Sequence, residues 1–209
     1  MEKIQTAPSA PIVRTDWQQL LPVLTGARVQ LRELRHEDAA ALCGLLSTEE
    51  VARFISPPPP TVEGFERFMQ FALAQRVRGE HVGFAVTLRG FDTAIGIFQV
   101  RRLEAGFRLA EWGFAIGAPF WGSGVFEESA DLVLDFAFET LGVQRLEARA
   151  AVLNGRGNGA LRKIGAVQEC LLRRSLLRGG AWLDQALYAI LGRDYVARNA
   201  RRVAAPRFH

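Results

Sequence analysis

The sequence has 209 residues, of which 49% are hydrophobic and 23% charged, enough for one domain with a substantial core. No apolar run approaches the roughly 20 residues that span a bilayer, and residues 1–10 lack the apolar stretch of a secretory signal. Two cysteines and three histidines, without ligand spacing, argue against a disulfide scaffold and a metal site. We therefore expect a cytoplasmic protein without a metal and without a membrane partner.

The net charge of +4 arises at the C-terminal end. Residues 193–209 contain five Arg and one Asp, so the remainder of the chain is neutral overall. Short Arg-rich ends are more often solvated than bound to nucleic acid, so we do not expect a nucleic acid partner. We divide the chain into an N-terminal extension, residues 1–26, a domain, residues 27–194, and a basic tail, residues 195–209, whose removal should leave folding intact.

The domain opens with a strand followed by helices. Alternating apolar residues predict a strand over 29–34, and apolar residues at helical spacing predict a helix that begins at Asp38. Ser47 and Glu50, three residues apart, indicate a capping box at the start of a second short helix. Prolines at 57–60 must end that helix, because proline disfavours the helical conformation in the residue before it.

A longer helix and three strands follow. Thr61 is a suitable N-cap for an amphipathic helix that ends near Arg78. Turn residues then separate three strand-like runs, over 82–88, 94–103 and 109–116. Such short connections favour an antiparallel meander.

The second half of the domain mixes helices with strands, which predicts a mixed α/β sheet. In order, the elements are a helix from the glycine-rich segment 121–124 to about residue 141, a strand over 145–150, a short helix ending at Gly165, and strands over 167–172 and 183–191 joined at Gly179 and Gly180. The long helix also carries acidic residues four apart, which we interpret as a solvated stripe with a structural role: Glu127, Asp131, Asp135 and Glu139.

Two glycines, Gly122 and Gly124, precede the long helix. Glycine lets a backbone approach a ligand closely, and the first turn of a helix offers unpaired N–H groups and a positive dipole end. This is the chemistry that a pyrophosphate requires. An ordinary glycine turn in front of a helix has the same spacing, so the spacing alone leaves both interpretations open.

The strand over 109–116 carries one carboxylate on a face of small residues. Alternation places Glu111, Gly113 and Ala115 together, which leaves a groove beside an ionisable group. Glu111 is thus a candidate general base next to a slim substrate. The alternative is a glutamate paired with a nearby arginine.

Asn154 precedes a short helix that contains three glycines, Gly155, Gly157 and Gly159. Asparagine is a good N-cap, whereas each internal glycine destabilises a helix by about 1 kcal/mol relative to alanine. The turn is therefore either mobile or approached closely by a ligand.

Together these stretches resemble the GNAT acyltransferases of the RimJ/RimL type over residues 27–194. Residues 111–117 resemble the family's fourth strand, and residues 121–141 resemble its coenzyme-A loop and helix. The family's short helix is matched by Asn154, Leu161, Lys163 and Gly165. The resemblance implies an α+β fold: a mixed, mostly antiparallel sheet of six to seven strands with flanking helices, splayed between the fourth and fifth strands.

The resemblance also implies an N-acetyltransferase that uses acetyl-CoA and an amine acceptor, with Glu111 as general base and no metal. The pyrophosphate would bind the backbone amides of residues 122–126, and the pantetheine arm would lie between residues 114–116 and Asn154. The full set of implied coenzyme-A contacts is Phe114, Ala115, Ile116, Trp121, Gly122, Ser123, Gly124, Val125, Phe126, Asn154 and Lys163.

Two residues depart from the family pattern. Phe126 stands where the family usually has Gly or Ala, and Gly157 stands where many members have a Ser that can protonate the leaving thiolate. Tyr188 and Tyr195 fall in or just after a strand that packs into the sheet, so neither is our candidate for that acid. A thiolate whose conjugate acid has a pKa near ~8.5 can take its proton from water.

Three functions fit these features. The first is a protein or peptide N-terminal acetyltransferase, the second a small-molecule amine acetyltransferase for a polyamine, amino acid or aminoglycoside, and the third a non-catalytic acyl-CoA-binding module. We expect the acceptor to contact the loop at 57–60 and the hairpin over 173–184, because loops on a fixed scaffold vary with substrate. Acidic residues lining the acceptor cleft would favour a polycation. A homodimer is one candidate assembly.

Overall fold

The computed structural model describes residues 16–204, and the side chains of residues 16–200. The strands are β1 Leu24–Thr25, β2 Val29–Glu33, β3 His81–Leu88, β4 Ala94–Arg102, β5 Leu109–Ile116, β6 Arg145–Ala151, β7 Val167–Arg178 and β8 Ala181–Leu191. The helices are α1 Asp38–Leu46, α2 Glu49–Ala52, α3 Val62–Val77, α4 Val125–Asp135, α5 Gly155–Lys163 and α6 Gly192–Ala204.

The eight strands found in the described part of the chain form one sheet, in the order β1-β2-β3-β4-β5-β6-β8-β7. Every neighbouring pair is antiparallel except β5 and β6, which are parallel. The predicted mixed, mostly antiparallel sheet with flanking helices is confirmed. The two-residue β1 is the strand that the sequence did not indicate.

Strands β5 and β6 separate part of the way along their length. Their pairing covers only Leu109↔Arg145, Ala110↔Leu146 and Glu111↔Glu147, although β5 continues to Ile116 and β6 to Ala151. Beyond Glu111 the β6-facing edge of β5 therefore has no strand partner among residues 16–204. This is the predicted splay, and it opens the sheet where the candidate site lies.

The sheet is covered on both faces, as alternation along β3 shows. Phe84 packs in the larger core cluster with Val133 and Leu134 of α4, and its ring meets Phe136 edge-on at 5.2 Å. The next residue, Ala85, belongs to the second cluster with Leu42 of α1 and others from α3. Successive side chains of a strand point to opposite faces, so one strand serves both cores.

Of the two helix caps predicted in the first half of the domain, one is confirmed and one is wrong. The Thr61 hydroxyl accepts from the Gly64 amide at 3.1 Å at the start of α3. At α2 the N-cap residue is Thr48, without a side-chain cap bond, so the predicted capping box beginning at Ser47 is wrong. The Ser47 hydroxyl instead donates to the Pro59 carbonyl at 3.0 Å, which ties the end of α1 to the proline loop.

The predicted tail begins inside a helix whose first turn packs against the domain. Residues 192–204 form α6, so the predicted domain limit at residue 194 falls inside a helix. Tyr195 is only 6% exposed and stacks on Phe138 with ring centroids 4.7 Å apart. Its hydroxyl lies 3.0 Å from Asp135 and 2.5 Å from Glu139. The pKa of Tyr195 is raised, mainly by burial and in addition by these two carboxylates.

The same helix covers part of the acidic stripe on α4, which is therefore not a solvated face. Arg198 pairs with Asp131, and Lys163 of α5 pairs with Glu127. The structural role predicted for the stripe remains, but its partners are a helix and a lysine rather than water. The long helix also changes its hydrogen-bonding pattern, because residues 136–140 form a π-helical turn.

Residues of the predicted extension also contact the domain. The Trp17 ring meets Phe107 edge-on at 5.5 Å, and the buried Arg76 side chain donates to the Trp17 carbonyl at 3.1 Å. Leu21 is 3% exposed and lies in the larger core cluster. Trp17, Leu21 and Leu24 thus pack against the core of the domain.

Candidate functional site

Two cavities meet at the splay of the sheet. The Glu111 cavity has a volume of about 640 Å³ and extends along β5 and β6 towards the proline loop. The loop cavity has a volume of about 480 Å³ and reaches the glycine-rich segment before α4. Six residues line both: Phe54, Ile55, Phe114, Ala115, Asn154 and Gly157. A slim molecule could therefore run from the glycines to Glu111.

The glycine-rich segment has the backbone that close approach to an anion requires. Gly122 and Gly124 adopt φ of +73° and +83°, a region that L side chains rarely occupy. Gly124 is the N-cap of α4 and offers no side chain to the first amides of the helix. The N-terminal end of α4, where a helix has unpaired N–H groups and a positive dipole end, therefore borders the loop cavity.

An arginine supports this segment from outside. Arg28 donates to the Ser123 carbonyl at 3.0 Å and lies 3.3 Å from the Glu128 carboxylate. A Cβ on Gly124 would stand 2.8 Å from the Arg28 guanidinium. The residues present thus suit a pyrophosphate, with a close-approach turn, a helix N-terminus and a neighbouring cation.

Further cations line the loop cavity. The Arg156 guanidinium lies 4.0 Å from the ring centroid of Trp121, whose Nε1 donates to the Ile116 carbonyl at 2.8 Å. The ion pair with Lys163 is the largest cause that lowers the pKa of Glu127. The charge of Lys163 is thus already compensated, whereas Arg156, which the sequence analysis missed, offers a further cation to a phosphate.

Nine of the eleven residues predicted to contact coenzyme A line the loop cavity: Phe114, Ala115, Ile116, Trp121, Gly122, Gly124, Phe126, Asn154 and Lys163. The other two, Ser123 and Val125, do not line it. Val125 is buried in the core, and the Ser123 hydroxyl donates to the Phe120 carbonyl at 2.6 Å.

The bulk of Phe126 is directed into the sheet. Its ring lies 4.6 Å from that of Phe114 and 5.9 Å from that of Phe98. Aromatic rings at these separations attract one another beyond the burial of their area. The departure from Gly or Ala at this position therefore adds aromatic packing, and the Phe126 backbone remains in the first turn of α4.

Glu111 lines the Glu111 cavity with its side chain 19% exposed. Arg101 donates to one carboxylate oxygen at 2.5 Å, and the Arg149 Nε lies 3.5 Å from the other. The alternative of a glutamate paired with arginine is therefore observed, but the pairing leaves the carboxylate in the cavity. A carboxylate in this position can accept a proton from an amine that enters the cavity.

Sequence reasoning missed a histidine and a glutamine on the same face. His81 is 6% exposed, and its Nε2 lies 3.1 Å from the Gln99 side-chain oxygen. Burial is the largest cause that lowers the pKa of His81, opposed by the Gln99 hydrogen bond and assisted by the charge of Arg101. The imidazole is therefore neutral near pH 7. A single histidine at the start of a strand gives no sequence signal of this arrangement.

Asn154 acts as the predicted N-cap of α5, and its side chain accounts for Gly157. The Asn154 oxygen accepts from the Gly157 amide at 2.8 Å, and a Cβ on Gly157 would stand 2.6 Å from the Asn154 amide nitrogen. A serine at this position would require Asn154 to move. Tyr188 is fully buried with its hydroxyl 2.9 Å from Asn158, so it does not replace the missing serine at the cavity.

Comparison with known proteins identifies the family. The chain belongs to the GNAT acetyltransferases, because the model of the acetyltransferase (GNAT) domain matches residues 28–167. It is similar to p20, an uncharacterized N-acetyltransferase of Bacillus licheniformis, with 27% identity over 169 residues, 80% of this chain and 95% of that protein. It is also similar to the uncharacterized N-acetyltransferase YoaA of Bacillus subtilis, with 28% identity over 177 residues, 82% of this chain and 98% of that protein.

A solved structure shares the fold. Mycobacterium smegmatis RimJ in complex with CoA-disulfide superposes with a TM-score of 0.75 at 23% identity, covering 87% of this chain and 91% of RimJ. The protein is thus an N-acetyltransferase of a family that uses acetyl-CoA. Among residues 16–204, no helix is long and apolar enough to cross a membrane, and no group of His, Cys, Asp and Glu is arranged to hold a metal.

Proposed function

We propose that the protein acetylates the amino group of a peptide or protein N-terminus, with acetyl-CoA in the loop cavity and the acceptor in the Glu111 cavity. The observation that carries this proposal is the connection of the two cavities at Phe114 and Ala115. A donor held at the glycines would present its acyl end where the acceptor enters from the other side.

Each part of the site has a role in this proposal. Residues 122–126 hold the pyrophosphate through backbone amides, and Arg156 supplies positive charge beside it. Lys163 lines the same cavity in its pair with Glu127, and Asn154 flanks the pantetheine arm. Acetyl-CoA supplies the acetyl group as a thioester. The β6-facing edge of β5 beyond Glu111, which has no strand partner, can offer a backbone N–H group to the thioester carbonyl.

Glu111 is the proposed general base. An amine that is charged at pH 7 must lose a proton before it can attack a carbonyl, and the Glu111 carboxylate accepts that proton directly or through one water. The leaving thiolate takes its proton from water, because neither tyrosine that could donate one faces the cavities.

The size and lining of the Glu111 cavity favour a peptide over a compact amine. Its wall includes the proline loop, through Pro57, Pro58 and Pro59, and the β7–β8 hairpin, through Ser175, Leu176 and Gln185. These are the two segments predicted to contact the acceptor. A long, loop-lined wall can contact several residues of an extended chain.

The experiment is a screen of acetyl-CoA-dependent thiol release with peptides that differ only in a free or blocked N-terminus. Mass spectrometry of the product peptide then locates the acetyl group. We expect release only with a free N-terminus and modification of the α-amine. Acetylation confined to lysine side chains or to small amines would contradict the proposal.

A further inference from the structure

The charged side chains of the Glu111 cavity are more positive than negative. Among the residues that the structure describes, its charged lining consists of Arg101, Glu111 and Arg149, since His81 is neutral near pH 7. A cleft that binds a polycationic amine needs an excess of carboxylates. This cleft has an excess of guanidinium groups instead.

The two guanidinium groups retain capacity for a second anion. Arg101 and Arg149 are 58% and 43% exposed, and Glu111 is the carboxylate that pairs with both. Each guanidinium carries five N–H donors, and one carboxylate offers about four acceptor sites to the two groups together. Donors therefore remain for an anion that enters the cavity, and a guanidinium can bind a carboxylate through two parallel hydrogen bonds.

The arrangement also fixes where that anion would lie. An amine that gives its proton to Glu111 stands next to both arginines, because they contact the same carboxylate at 2.5 Å and 3.5 Å. A carboxylate on the acceptor can reach a guanidinium only if it is within a few bonds of the reactive amine. A second positive charge at the same place would be repelled.

We propose that the preferred acceptor carries a carboxylate close to its reactive amine, which for a peptide means Asp or Glu at the first or second residue. This inference rests on the proposed N-terminal acetylation and adds its specificity. Arg149, on β6 opposite the unpaired edge of β5, and Arg101, on β4, are the specificity-determining residues.

The test compares three peptides that differ only at the second residue: Glu, Gln or Lys. One charge-assisted hydrogen bond of about 1.5 kcal/mol corresponds to roughly tenfold, so kcat/KM should be about tenfold higher for the Glu peptide than for the Gln peptide. The Lys peptide should be the poorest acceptor. The difference should appear mainly in KM, because the contact exists before and during acyl transfer.

Arginine variants test whether the preference for the Glu peptide arises in the Glu111 cavity. In Arg149→Gln the ratio between the Glu and Gln peptides should fall several-fold, whereas in Arg108→Gln, an exposed arginine outside the cavity, the ratio should stay unchanged. Equal rates for all three peptides, or an unchanged ratio in both Arg149→Gln and Arg101→Gln, would overturn the inference and leave the proposed function intact.

Two small amines separate this inference from the proposed function. If no peptide reacts but a free amino acid does, the proposed N-terminal acetylation is wrong. The preference for a carboxylate next to the amine then holds, because a free amino acid carries one. If a polyamine is the best acceptor of all, both proposals fail.

Discussion

The contacts of Glu111 are compatible with both interpretations of this residue, the candidate general base and the glutamate paired with an arginine. Its carboxylate pairs with Arg101 and Arg149 and still lines a cavity of about 640 Å³. A pair inside a closed core would exclude substrate, but Arg101 is 58% exposed. The pairing therefore orients a carboxylate that an incoming amine can reach.

Glu111→Gln should lower kcat/KM by the ~10²–10⁴ typical of lost general-base catalysis, because glutamine keeps the shape and removes the proton acceptor. Acetyl-CoA affinity should change little. The loss should shrink as pH rises, since more of the amine arrives neutral. Steady-state kinetics between about pH 7 and pH 9.5 measure this.

Glu147→Gln is the matched control, since Glu147 is the register partner of Glu111 on β6 but pairs with Arg145 and does not line the cavity. Equal kinetics of Glu111→Gln and the parent across this pH range would remove Glu111 from the mechanism.

Gly124→Val should abolish most of the rise in melting temperature that coenzyme A causes. A ligand that binds only the folded state adds about 2.7 kcal/mol at a hundredfold excess over Kd. A valine at φ +83° is strained, and its Cβ would stand 2.8 Å from Arg28, where the loop must approach the pyrophosphate.

Thermal unfolding with and without coenzyme A measures the shift. The control is Gly90→Val, because Gly90 has φ +85°, open space around it and a position outside both cavities. Both variants should lose stability from backbone strain, but only Gly124→Val should lose the response to ligand. A full response in Gly124→Val would show that the phosphates bind elsewhere.

His81 should make the protein less stable in mild acid. Its pKa is lower in the folded state than in an unfolded chain, where it is about 6.5, so the unfolded state binds more protons as pH falls below that value. The free energy of unfolding therefore decreases from about pH 7.5 towards pH 5. Urea unfolding at several pH values should show a shallower decrease in His81→Gln than in the parent. Equal slopes in the two proteins would contradict the prediction.

The residues beside Glu111 that sequence reasoning missed share one property. Gly124 and Asn154 can be recognised from residue type and local spacing, and both were predicted. His81, Gln99, Arg101 and Arg149 belong to three different strands, and only the register of the sheet brings them beside Glu111. Without that register, a histidine and two arginines in strands carry no signal.

Among the elements, strands with clean alternation were predicted almost to the residue, as for β5 at Leu109–Ile116. The prediction for β7 stopped at residue 172, whereas the strand continues to Arg178. A register shift between Leu172 and Leu176 and a positive φ of 48° at Arg174 interrupt it. The polar residues at this bulge break the alternation on which strand prediction depends.

Helix α1 is fixed to the sheet by a buried ion pair. Arg32 of β2 binds both oxygens of Asp38 at 2.8 Å and 2.7 Å, and both side chains are about 5% exposed. Arg32 also binds Asp92 in the β3–β4 turn, and these carboxylates, Asp38 first, raise the pKa of Arg32. One guanidinium thus joins a strand, a helix and a turn.

Asp38→Ala should lower the free energy of unfolding by about 3–5 kcal/mol, because it leaves a buried guanidinium without its main partner. Urea unfolding measures the loss. Arg35→Ala is the control, since Arg35 pairs with the same Asp92 but both side chains are mostly exposed, and such a pair contributes about 0–1 kcal/mol. A loss below 1 kcal/mol in Asp38→Ala would show that water or Asp92 compensates the charge.

At the scale of the whole molecule, the acidic stripe of α4 and the helix α6 pack against each other. In the sequence alone, the stripe and the basic tail each have the charge pattern of a solvated surface, so both were predicted to face water. Brought together, they form the Arg198–Asp131 pair and the contacts of Tyr195 with Asp135 and Glu139. The chain segments are about 60 residues apart, so only the fold shows their complementarity.

This packing predicts that the C-terminal helix stabilises the protein without forming part of the site. Tyr195→Ala should lower the free energy of unfolding by about 3–5 kcal/mol, as expected for removing a buried aromatic ring. In a chain of this size that loss lowers the melting temperature by roughly 6–20 °C. Val196→Ala, a neighbouring change at a residue 65% exposed, should have almost no effect. Calorimetry of both variants measures the difference.

The coenzyme-A response separates a stabilising role from a functional one. Tyr195 packs against Phe138 and near the C-terminal end of the long helix, whereas the proposed pyrophosphate site lies at the N-terminal end of α4. The rise in melting temperature with coenzyme A should therefore be the same in Tyr195→Ala as in the parent. If Tyr195→Ala lost this response, α6 would be needed to hold the loop cavity in shape. If Tyr195→Ala melted at the same temperature as the parent without ligand, the packing of α6 would not stabilise the protein, as predicted from the sequence for a solvated tail.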